Sequence, residues 1–271
     1  MGESKMTTNV DKGRFGPWAV VTGASSGLGR EFGRQLAHSG INVVLVARRG
    51  DELEAVGVDL RRMYGVDYRV IVADLSRREA IDTVVSGTAD LDVGLLVSNA
   101  GAGRPGNFLA FCSDDLTEIV QLNALSHTVL TNHFSKRFKA RGGGATLLVS
   151  AMGGDSGIPY NAIAAATKGL INTLGKSLHA ELKAFGVGIT VVVVSPTETP
   201  IIDKMGLRAA PMPIKPMRVD QCVAEALEGL KRNRMMVLPG RLYRIMNALM
   251  PQSVMRSMTG RMMQRSSVFL S

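Results

Sequence analysis

Thr22-Gly23-Ala24-Ser25-Ser26-Gly27-Leu28-Gly29-Arg30 is the stretch that decides the fold. The apolar Trp18–Thr22 before it reads as a buried strand, and Leu28–Ser39 after it as a helix. Glycines at 23, 27 and 29 permit a tight turn and a close backbone approach to a ligand. The helix that opens there presents unpaired N–H groups and the positive end of its dipole, both of which favour a pyrophosphate. A bare glycine pattern says little, but at the junction of the first strand and first helix it marks a dinucleotide site.

Working outward, short apolar runs alternate with longer amphipathic segments. Strands are predicted at Asn42–Ala47, Arg69–Ala73, Gly94–Ser98, Ala145–Ser150, Ile189–Val194 and Met235–Leu238. Helices are predicted at Asp51–Tyr64, Arg77–Ala89, Asp114–Arg141, Asn161–Phe185 and Val219–Arg232, with Gly142–Gly144 ending the longest. Strands this apolar on both faces belong in a parallel sheet covered by helices. The expected fold is a single α/β domain, Rossmann-type, with a doubly wound seven-stranded parallel sheet and helices on both faces. Residues 1–14 read as a flexible leader, 15–240 as the dinucleotide-binding domain and 241–271 as a Met- and Arg-rich extension.

The 271 residues, 45% of them apolar, suffice for one large core. No apolar run approaches the ~18 residues needed to span a bilayer. The polar start offers no h-region of a signal peptide, so a cytoplasmic location is expected. The net charge of +9 is carried by dispersed arginines, without a long basic run, zinc-finger spacing or aromatic platform, so nucleic acid is not an expected partner. Cys112 and Cys222 are too few for a disulfide framework, and His38, His127, His133 and His179 lack ligand spacing, so no metal is expected. Asp114–Asp115 reads as capping of a helix N-terminus rather than a catalytic pair.

The end of the second strand discriminates between dinucleotides. An acidic residue there would bind the free ribose hydroxyls of NAD. This chain has Arg48 and Arg49 instead, and a guanidinium pairs with a 2′-phosphate through charge-assisted bonds, which favours NADP(H).

These residues resemble the short-chain dehydrogenase/reductase family over roughly residues 16–240, on the NADP(H)-preferring ketoreductase and hydroxysteroid-dehydrogenase-like side. The turn matches the family's TGxxxGxG pattern. Asp74, with Leu75 after it, matches the acidic residue at the adenine, and Asn99-Ala100-Gly101 matches the NAG motif. Asn123 matches the asparagine that helps hold a proton-relay water, and Lys168 the lysine of YxxxK. Thr197 and Thr199 resemble the residues that hold the carboxamide, although Val194-Ser195 replaces the usual Pro-Gly before them. The resemblance implies that Gly23, Ser25, Ser26, Gly27, Leu28, Gly29, Arg48, Arg49, Asp74, Leu75, Asn99, Ala100, Gly101, Lys168, Thr197 and Thr199 bind the cofactor. It also implies hydride transfer between nicotinamide and a carbonyl or alcohol carbon, in a homodimer or homotetramer.

The chain departs from that pattern at the reacting centre. The family's tyrosine, four residues before the lysine, falls on Ala164, and its serine, thirteen before that, on Ala151. Tyr160 is two helical turns from Lys168 and cannot simply replace the tyrosine. Ser150 faces the other way from Ala151. Ser156, in a Gly-Asp-Ser-Gly loop, is a minor candidate donor. Loss of a general acid typically slows catalysis by about 10²–10⁴. Loss of an oxyanion donor removes roughly 2.7–4 kcal/mol more, not necessarily additively. The expected chain therefore binds cofactor and is close to redox-dead. The preferred reading is an oxidoreductase whose serine and tyrosine have been replaced by alanine. The alternatives are a non-redox cyclase, dehydratase or isomerase on the same scaffold, and a cofactor-binding pseudoenzyme.

In the family, the segment after strand six covers the substrate; here that is Ile201–Met217, with Met205, Leu207, Met212, Ile214 and Met217. Methionines make an adaptable apolar surface, which points to a bulky apolar substrate. The tail Arg241–Arg265 reads as an amphipathic helix pair that covers the pocket or forms an oligomer contact, in preference to lying on a membrane.

Overall fold

The computed structural model describes residues 6–200 and 215–264. The elements run α1 (Lys12–Phe15), β1 (Trp18–Thr22), α2 (Gly27–His38), β2 (Asn42–Ala47), α3 (Gly50–Tyr64), β3 (Tyr68–Val72), α4 (Glu79–Ser86) and β4 (Val93–Ser98). They continue with α5 (Ser113–Val120), α6 (Ser126–Arg141), β5 (Gly144–Ala151), α7 (Ala162–Leu182), β6 (Val187–Val194), α8 (Val219–Lys231), β7 (Met236–Val237), α9 (Arg241–Leu249) and α10 (Gln252–Gln264). The seven strands form one sheet in the order β3-β2-β1-β4-β5-β6-β7, all parallel. Strand order reverses between β1 and β4, and their carboxyl ends part there to leave the crevice.

Alternate residues of each strand feed two cores. Ala19, Val21, Leu45 and Leu95 pack with Phe32 and Leu36 of α2, Leu53 of α3 and Leu227 of α8. Val20, Val44 and Leu96 pack on the opposite face with Val84 of α4, Phe134 of α6 and Ile171 of α7. Each fully buried side chain of this size contributes about 1.5–3 kcal/mol. Gly175 sets how closely α7 lies on the sheet: a Cβ there would stand 2.1 Å from Val191 Cγ2. That fit fixes the helix that carries Lys168.

Two expectations change. The helix expected over Asp114–Arg141 is interrupted by a π turn, Gln121–Leu125, between α5 and α6. Asn123, within that turn, is buried and bonds the chain at Ala102. The leader expected to be loose is docked from residue 6 onward: Met6 N donates to Asp220, Thr8 Oγ1 to the Ala224 carbonyl and Val10 N to Ser39 Oγ. Val10 is buried in the first core beside Phe15, which the leader's composition did not announce. Of the expected lid, 201–214 lie outside the described residues. Met217 is buried with Cys222 and Tyr243, and its backbone bridges to Thr197.

Candidate active site

The glycine turn works by backbone geometry. Gly23 and Gly27 have φ of 68° and 55°, the left-handed region that favours glycine. Gly29 is required for a different reason: a Cβ there would stand 2.2 Å from the Gly23 carbonyl oxygen. It is buried behind the turn, where the lack of a side chain lets α2 close on Gly23. Thr22, which sequence reading missed, ties the crevice together. Its Oγ1 accepts from the N–H groups of Asn99 and Ala100, each at 2.9 Å, while Asn99 Nδ2 donates to the Thr22 carbonyl. Its signal was its place as first residue of the glycine motif.

A cleft of about 1170 Å³ opens above these strand ends. Gly23, Ser25, Ser26, Gly27, Leu28, Arg48, Arg49, Asp74, Leu75, Asn99, Ala100, Gly101, Lys168, Thr197 and Thr199 all line it, as do Ala151 and Ala164. The two arginines differ. Arg49 is held by Glu52 at 2.5 Å and by Ser25 and Ser26 at 3.0 and 3.3 Å. Arg48 is exposed and has no ion-pair partner among the described residues, so it is the cation available to an anionic ligand. Asp74 uses one carboxylate oxygen on the amide and hydroxyl of Ser76.

At the centre of the cleft, α7 and its N-cap residue present Asn161, Ala164, Ala165 and Lys168, one face at helical spacing. Lys168 Nζ donates to the Val149 carbonyl at 2.9 Å. Desolvation pushes this ammonium down to about 8. Ala151, at the end of β5, and Ala164 offer no polar side-chain atom. The neighbouring hydroxyls do not replace them. Ser150 Oγ donates to the Lys168 carbonyl, and Ser156 Oγ to the Gly157 carbonyl. The Tyr160 hydroxyl accepts from Gln264 of α10. Asn161, 5% exposed, also lines the cleft, and its Oδ1 has no partner among the described residues.

Asn123, which the resemblance gives a part in holding a proton-relay water, is fully buried. Its amide pairs with both backbone groups of Ala102, at 2.8 and 2.9 Å, and so fixes the loop after the Asn99-Ala100-Gly101 motif. His127, read from the sequence as an ordinary helix position, pins the same strand end. Nε2 lies 2.7 Å from the Ala100 carbonyl, so it carries the proton, and Nδ1 accepts from Ser98 Oγ at 2.8 Å. Burial, then the charge of Lys168, pushes His127 down to about 3 and keeps it neutral.

The far wall is the tail. Helices α9 and α10 line the cleft with Tyr243, Met246, Met255, Met258, Met262 and Met263. Gly260 lets α10 approach the loop before α7, since a Cβ there would meet Pro159 at 3.0 Å. Nearby Cys222 is buried, which pushes its thiol up to about 12 and makes it unreactive. Among the described residues there is no cluster able to hold a metal, and no helix is long and apolar enough to cross a membrane.

A nucleotide-sized crevice at the switch point, a lysine beside it and an apolar wall opposite define a recognisable arrangement. The family model for short chain dehydrogenase matches residues 17–208. The chain is 30% identical over 187 residues to a 7beta-hydroxysteroid dehydrogenase of Mediterraneibacter gnavus, covering 69% of this chain and 71% of that protein. It is 36% identical over 186 residues to a very-long-chain 3-oxoacyl-CoA reductase of Podospora anserina, covering 67% and 55%. A solved 7beta-hydroxysteroid dehydrogenase superposes with a TM-score of 0.84 at 26% identity, over 92% of this chain and 98% of that one. A short-chain dehydrogenase from Sphingobium yanoikuyae in complex with NADPH superposes with a TM-score of 0.79 at 29% identity, over 86% and 91%. On the extent of the family match and the agreement of fold and crevice, the chain belongs to the short-chain dehydrogenase family.

Proposed function

We propose that this protein binds NADP(H) in the crevice and holds a bulky, mostly apolar carbonyl compound or alcohol against the tail helices, on a scaffold whose redox step is disabled. The observation that carries the reading is the reacting centre: Lys168 is in place, while Ala151 and Ala164 leave the substrate oxygen without a hydroxyl donor. The backbone of the glycine turn and the N-terminus of α2 would hold the pyrophosphate, and Arg48 a 2′-phosphate. Lys168 would hold the nicotinamide ribose. When bound, the nicotinamide supplies or accepts hydride.

The chain's own part would be to bind, orient and exclude water. Reduction also requires a proton at the substrate oxygen. Lys168 is directed at the Val149 carbonyl, and nothing at 151 or 164 relays from it. The preferred origin is an oxidoreductase in which serine and tyrosine became alanine. The relatives' names, a hydroxysteroid dehydrogenase and a 3-oxoacyl-CoA reductase, agree with a large apolar substrate. A homodimer or homotetramer and a cytoplasmic location complete the reading; light scattering and cell fractionation test them.

The deciding experiment is the double reversion Ala151→Ser with Ala164→Tyr, assayed for nicotinamide oxidation against hydroxysteroids and bulky ketones. Turnover by the revertant with silence in the parent is the expected result. Silence in both, with product formed by the parent without nicotinamide consumption, would favour non-redox chemistry.

A further inference from the structure

Resting on the reading of the tail as a substrate wall, we propose that the substrate is anionic, with an apolar body on the methionines of α9 and α10 and its negative group at the mouth of the cleft beside Arg261.

Among the described residues, five charged side chains line the cleft. Arg48, Arg49 and Asp74 stand at the ends of β2 and β3, at the dinucleotide end, and Lys168 stands at the centre. Arg261 alone lies on the tail wall. It shares one edge of α10 with Val254 and Ser257, at helical spacing, and all three are exposed, whereas Met255 and Met263 turn to the buried side. The guanidinium therefore sits where the apolar wall meets water.

That position suits an anion physically. A charge drawn into the methionine wall would lose its hydration at a penalty of several kcal/mol. At the rim it keeps most of its water and gains the planar donor fork of an arginine, which matches a carboxylate or sulfonate. No carboxylate side chain on the tail competes for Arg261: from Arg241 to Ser271 the sequence contains no Asp or Glu. A neutral apolar ligand would leave this cation unused.

Two fluorescent probes with the same aromatic body test the proposal: anilinonaphthalene sulfonate, which is anionic, and N-phenylnaphthylamine, which is neutral. Both are titrated into the full chain saturated with NADP⁺, so that the dinucleotide end is filled. Arg261→Gln is expected to weaken the sulfonate about fivefold, less at high salt, and to leave the neutral probe within about twofold. Arg256→Gln removes an exposed arginine of the same helix that does not line the cleft, and is expected to change neither. Equal effects of Arg261→Gln on both probes, or equal effects of the two variants on the sulfonate, overturn the anionic substrate and leave the apolar wall standing. Failure of both probes to bind the parent overturns the wall itself, and the proposal with it.

Discussion

At the dinucleotide end of the cleft the work is done by backbone; at the reacting end it falls to side chains. Gly23, Gly27 and Gly29 shape the first through φ angles and an excluded Cβ, and Thr22 fastens β1 to β4 through main-chain amides. On the proposed reading the second end would need side-chain oxygens at 151 and 164, where alanines stand. A site made of backbone is destroyed only by changes that displace the chain. A site made of side-chain atoms is silenced by truncation without disturbing the fold. The two ends can therefore be uncoupled, binding from chemistry, and the difference can be tested at each.

The largest effect is expected at the reacting end. Ala164→Tyr should raise turnover by about 10²–10⁴, with Ala151→Ser adding to it, while calorimetry finds NADPH affinity unchanged within about threefold. A large change in that affinity would break the comparison. Next comes Gly29→Ala, whose methyl would meet the Gly23 carbonyl. It should lower dinucleotide affinity by about 100-fold and stability by about 1–3 kcal/mol, read by calorimetry and urea unfolding.

The third prediction concerns the floor shared by both ends. His127 is pushed down to about 3 in the fold, against about 6.5 in the unfolded chain. The unfolded state binds the extra proton between those values, so stability is lost as pH falls through that window. From pH 6.5 to 5 the loss is about 2 kcal/mol, and His127→Asn should remove that part of the pH dependence in urea melts. Lys168 adds an alkaline counterpart. Its folded value of about 8 lies below the usual lysine value, so stability rises with pH from about 8 to about 10.4. The smallest effect is expected of Arg48→Ala, about a tenfold loss for NADPH and none for NADH, since an exposed guanidinium is screened by solvent. Equal losses for the two dinucleotides would remove Arg48 from its assigned place.

The sheet and the crevice were legible because they rest on local rules. Apolar runs rich in β-branched residues, such as Val43–Val46, read as buried strands, and the strand–glycine–helix junction has few other uses. The alanines at 151 and 164 can be read by their spacing from Lys168, and both line the cleft. Other features were hidden because tertiary contacts decide them. Nothing local says that His127 bonds Ser98 and Ala100, or that Met6–Val10 docks on α8 and the end of α2. The tail was read as a helix pair. Its seat over the cleft depends on Gly260 meeting Pro159, a hundred residues away in the sequence.

The π turn at Gln121–Leu125 carries a further consequence. Such a turn holds one residue more than an α turn, so it is a matter of counting rather than of residue type. Deleting one residue from it would heal the helix and leave its two flanks nearly in phase, because the wide turn itself takes up the surplus residue. Ile119, Leu130, Phe134 and Phe138 would keep their places in the core, while the widened turn that carries Asn123 to Ala102 would be gone. The fold should stand, and the loop after Asn99-Ala100-Gly101 should loosen. Here the protein stores information in its length: one surplus residue braces the floor of the cleft.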